Sequence, residues 1–136
     1  MYDVRCGMYG VRQLLNYKIC FMDSEEMKRR TKMFAINVGI LTQRFPESQI
    51  NRAYCNQIIR SSSSVGANYR ASRRAKSNAD FINKLKIVEE ELDESLFFLE
   101  LLEVFNQPQK EEIGILYAEG ETLLKIIVAS IISSRK

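Results

Sequence analysis

The chain has 136 residues, 46% hydrophobic and 27% charged, which is enough for one core and a polar surface and excludes wholesale disorder. Six glycines and two prolines are about half the usual share of roughly 12%, too few for the frequent turns of a barrel or sandwich, so a few long helices are expected. There is no histidine, which removes Ser-His-Asp triads, Cys-His pairs, Cys/His zinc sites and Glu-x-x-His di-iron bundles, and the net charge of +3 is a mild basic bias.

Residues 1–22 are mixed, with Gly7 and Gly10 and no sustained period. Their longest apolar run, Ile19 to Met22, is too short for a signal-peptide core. Met22 stands directly before the first helix-start signal, so two readings remain: an upstream extension ahead of a start at Met22, or an ordinary N-terminal arm. The domain proper is expected over 23–136. Cys6, Cys20 and Cys55 are an odd number in no motif and fit reduced thiols in a cytoplasmic protein better than a disulfide framework.

The first helix opens at Asp23-Ser-Glu-Glu26, a capping box, and runs to about Arg44 with Phe34, Val38, Leu41 and Phe45 on one face. Pro46 stops it, because the residue before a proline is pushed to extended geometry. The second helix starts near Glu47 or Ser48 and runs to about Arg74. Tyr54, Ile58, Ser62, Val65 and Tyr69 fall within an arc of roughly 80°, its core face. Arg52, Arg60, Arg70, Arg73 and Arg74 occupy an outer arc of roughly 140°. With Lys76 they are the basic residues of Ser48 to Ala79, a stretch without a single acid. Such a stripe is either a solvated, salt-bridged helix face or a surface that grips phosphate oxygens bidentately.

The middle of the second helix, Ser61 to Ser64 followed by Gly66 and Ala67, is poor in helix formers. Either small side chains admit a closely approaching neighbour, or the run is a loop that splits the helix. Asn68 lies near the edge of the core face, where a buried amide with partners would fix register.

The third helix opens at Ser77-Asn-Ala-Asp80 and continues to about Phe105. Phe81, Leu85, Val88, Leu92, Ser95, Leu99 and Leu102 repeat at four and three, a heptad seam. Phe97, Leu101 and Val104 form a second apolar stripe on the opposite side, covered either by the fourth helix or by another subunit. The acidic residues between Glu89 and Glu103 read as a solvated or arginine-paired surface, so no metal or cofactor is expected. The fourth helix is capped by Asn106 or Gln107, has Pro108 in its first turn and ends near Ser133. Its apolar run from Leu123 to Ile132 contains Lys125 and is about half a membrane span, so no membrane partner is expected. Long helices joined by short loops fold back on one another, and the expected fold is an all-α, antiparallel up-down four-helix bundle.

Three stretches carry a resemblance: Leu41 to Pro46, Gln57 to Ser72 with its Arg-Ser…Val-Gly-Ala-Asn core, and Phe81 to Ser95. From about Ser24 onward the chain resembles the bacterial four-helix bundle family of 23S-rRNA intervening-sequence proteins. The positions matching the central motif are Arg60, Ser64, Val65, Gly66, Ala67, Asn68 and Arg70. The resemblance implies a left-handed bundle assembled into a homopentameric ring. It also implies kinship with accessory proteins of diversity-generating retroelements, nucleic-acid-binding partners of a reverse transcriptase. It carries no catalytic residues. The expected function is non-enzymatic: an oligomer that binds RNA or another nucleic acid through the arginine-rich face, by backbone rather than base contacts. The alternative is an interaction scaffold whose arginines meet an acidic protein.

Overall fold

The computed structural model describes residues 23–135, so the proposed extension at 1–22 and the start at Met22 lie outside the described residues. Four helices run in chain order: α1 (Ser24–Thr42), α2 (Gln49–Ser72), α3 (Asn78–Phe105) and α4 (Lys110–Ser134). A short 3-10 turn, Gln107–Gln109, leads into α4. Each helix packs on its neighbours in sequence, and α4 returns to α1. Connections of only a few residues make successive helices antiparallel, and the result is an all-α four-helix bundle.

The helix starts follow the capping signals. Asp23 accepts the Glu26 amide at 2.8 Å, Ser48 that of Asn51 at 3.0 Å, and Ser77 that of Asp80 at 3.1 Å. The reach-back half of the third cap lands one residue early, since Asp80 accepts from the Lys76 amide rather than from that of Ser77. α2 is continuous through Ser61–Ser64, which settles the loop alternative. Tertiary contacts hold the run helical: Ser61 Oγ meets Ser95 Oγ at 2.8 Å in the core, and Ser62 is fully buried as well. The core comprises one continuous cluster with contributions from every helix, including Phe34 and Val38, Ile58 and Val65, Leu85 to Leu102, and Leu123 and Ile127.

Asn68 is not the residue that fixes register. It is half-buried and spends its amide locally, on the Ser64 carbonyl and hydroxyl. Asn51 and Asn106 do that work at one end of the bundle. Their amides bond reciprocally at 2.9 and 2.8 Å, and each donates its second proton to a carbonyl, Pro46 and Leu102 respectively. Asn106 therefore does not cap the fourth helix with its side chain. Both amides are buried and fully engaged, so this pair joins the α1–α2 loop to the α3–α4 turn at one end.

Candidate nucleic-acid interface

The basic residues of α2 divide into two groups. Arg60, at mid-helix, faces α3 and is taken by Glu91 at 3.2 Å and by Glu94. These two carboxylates raise its pKa, the Glu91 hydrogen bond first. Arg52 reaches back to Glu47 at 3.1 Å across the start of its own helix, an exposed pair. Neither is a free cation on an open stripe.

Arg70, Arg73, Arg74 and Lys76 stand differently. All four are exposed, and among the described residues none of them forms an ion pair. They crowd the last turn of α2 and the short connection to α3. Several hydrogen bonds fix that connection: the Lys76 amide and the Lys84 ammonium occupy the two oxygens of Asp80 at 3.0 and 2.9 Å. Those donors hold the Asp80 carboxyl below its ordinary range, the Lys76 amide being the larger cause. Asn78 donates to the Ser134 carbonyl at 2.9 Å and so ties the connection to the end of α4. The Arg73 guanidinium sits over the Phe81 ring, 5.5 Å from its centroid.

The sequence stripe thus becomes an end. Residues from other helices join it. Gly66 lies against the backbone of Thr31 and Lys32, which puts Lys32 about one helical turn from Arg70. Lys32 and Arg135 are exposed and, among the described residues, have no ion pair. Reading one helix at a time misses them; the signal is topological, since an up-down bundle brings the start of α1 and the end of α4 to the α2–α3 turn. At the opposite end, Glu100, Glu103, Glu111 and Glu112 outnumber Arg44 and Lys110.

The motif positions are structural. Val65 is fully buried, and Ser64, Gly66 and Asn68 are half-buried, while Ala67 faces outward. The second stripe of α3 is not covered by α4: Phe97 is 53% and Val104 64% exposed, with Leu101 half-buried between them. The sequence reading missed a further apolar set, Ile36 and Ile40 on α1 and Ile115 on α4, the last 72% exposed. The acidic side chains of α3 are dispersed, with Glu91 and Glu94 on Arg60 and Glu100 accepting from Tyr117 at 2.9 Å. That bond raises the Tyr117 pKa. Among the described residues no group of three or more acids and cysteines is arranged to hold a metal ion. No helix there is long and apolar enough to cross a membrane.

Comparison with known proteins bears on the whole bundle. A solved structure of a protein of unknown function from the S23 ribosomal protein family of Bacteroides thetaiotaomicron is 31% identical to this chain. The match has a TM-score of 0.74 and covers 82% of this chain and 99% of that one. No curated protein matches. Residues 24–129 match the family described as 23S rRNA-intervening sequence protein, a span that opens on the first residue of α1 and reaches into the last turns of α4. The chain belongs to the 23S rRNA-intervening sequence protein family.

Proposed function

We propose that this chain is a non-enzymatic, cytoplasmic RNA-binding protein that holds the phosphate backbone at the α2–α3 end of the bundle. The observation that carries the reading is the contrast within one helix. Arg60 is neutralised by two carboxylates of α3, whereas Arg70, Arg73, Arg74 and Lys76 are exposed with no ion pair among the described residues. Three of these four are arginines, whose planar fork suits phosphate oxygens better than a point charge does. The family name supports a ribosomal RNA setting for the gene. The chain also self-associates in this reading, through the exposed ridge Phe97, Leu101 and Val104, which multiplies the basic ends presented to one RNA.

Fluorescence anisotropy with a structured RNA at low salt tests the proposal. Measurable binding that falls at least tenfold on combined replacement of Arg70, Arg73 and Arg74 by alanine is expected. An absence of binding by the unaltered chain at low salt would overturn it and leave an acidic protein as the partner of these arginines.

A further inference from the structure

Arg73 differs from the other cations of the basic end in having an aromatic ring beneath it. Its guanidinium carbon lies 5.5 Å from the centroid of Phe81, within the range of a cation–π contact. Phe81 is itself half-buried and packed against the core, so the ring is an anchored support. The Arg73 backbone is fixed as well, because it caps α2 and its amide donates to the Arg70 carbonyl at 3.1 Å. The guanidinium carbon thus lies over a ring that is itself held by the core. The side chain is exposed, and among the described residues no carboxylate engages it.

An arginine plane held in this way is a surface on which a nucleobase stacks. Arg70, Arg74 and Lys76 lie within three residues on either side and supply phosphate contacts for the same strand. A base in the interior of a duplex cannot reach the plane, since both its faces are already stacked on its neighbours. We infer that Arg73, supported by Phe81, is a stacking platform for an unpaired base, so that the basic end takes single-stranded or looped RNA in preference to duplex. This inference rests on the RNA-binding reading above and adds to it the class of RNA.

The experiment compares two fluorescein-labelled probes on the full chain: a 12-nucleotide single-stranded RNA of adenine and uracil, and a 12-base-pair blunt RNA duplex. Arg73→Lys keeps the charge and removes the plane. It is expected to weaken the single strand at least fivefold and the duplex by less than twofold. Arg44→Lys, in an exposed ion pair with Glu112 at the opposite end of the bundle, is expected to change either by less than twofold. Phe81→Leu, which keeps an apolar side chain against the core, should follow Arg73→Lys in direction. A 2-aminopurine placed in the single strand should lose fluorescence on binding to the unaltered chain and recover much of it with Arg73→Lys. Equal weakening of both probes by Arg73→Lys, or no weakening of either, overturns the platform and leaves backbone binding intact. Failure of the unaltered chain to bind either probe overturns both.

Discussion

Single residues in this bundle separate into those that fill space and those that hold it in register. Asn51 and Asn106 belong to the second group: each amide satisfies the other inside a buried end. Truncating one leaves the other with desolvated, unpaired groups, so Asn51→Ala and Asn106→Ala should each cost about 2–3 kcal/mol in urea unfolding. The double variant should cost clearly less than the sum, because the penalty of the orphaned partner disappears. Gly66 makes the opposite case. A Cβ there would stand 3.5 Å from the Thr31 carbonyl oxygen, an ordinary contact, so Gly66→Ala should stabilise by about 0.5–1 kcal/mol through helix propensity. The close approach expected around Gly66 is tighter at Gly120, where a Cβ would meet Leu96 Cδ2 at 2.7 Å and Phe34 Cε1 at 3.3 Å. Nothing in the pattern of α4 marks Gly120, because its neighbours come from α1 and α3. The same is true of the Asn pair, whose members are 55 positions apart.

At the scale of elements, the sequence is most legible where local rules act alone. The caps at Asp23 and Ser77 and the heptad seam of α3 need only nearest-neighbour chemistry, and the structure has them. It was less legible where two helices share a residue. Arg60 reads as an outward cation on a wheel, yet α3 brings Glu91 and Glu94 to it. Arg30, which no motif in the sequence marks, is 6% exposed between α1 and α4 and bonds Glu119 at 2.9 and 2.5 Å. Charge burial of this kind is costly to unbalance, so Glu119→Leu should destabilise by about 3 kcal/mol in the same unfolding assay. Asp80 links an element boundary to pH. Its pKa is lower in the folded chain, chiefly through the Lys76 amide and then Lys84. The stability it contributes is therefore complete above its ordinary value of 3.8 and is lost as pH falls through the lowered one. Acid titration of Asp80→Asn should show a shallower loss of stability below about pH 4 than the unaltered chain.

For the whole molecule, the bundle is a rod with unlike ends and an apolar ridge along its side. The fold follows from the sequence because helix period and loop length decide it. The location of the basic site does not, because it depends on which arginines α3 neutralises and which helix ends the topology gathers. The ridge Phe97, Leu101 and Val104 is exposed on this chain, so sedimentation should find an oligomer at micromolar concentration that Phe97→Glu together with Val104→Glu dissolves. A monomer at that concentration would remove self-association from the account. The central claim, that the α2–α3 cations without an ion pair among the described residues grip phosphate while Arg60 is spoken for, is tested most directly by the salt dependence of RNA affinity. The slope of log affinity against log salt should become shallower by about two units when Arg70, Arg73 and Arg74 are replaced by alanine, and by less than half a unit for Arg60→Ala. Equal slopes for the unaltered chain and the triple variant, or a larger change for Arg60→Ala, would contradict it.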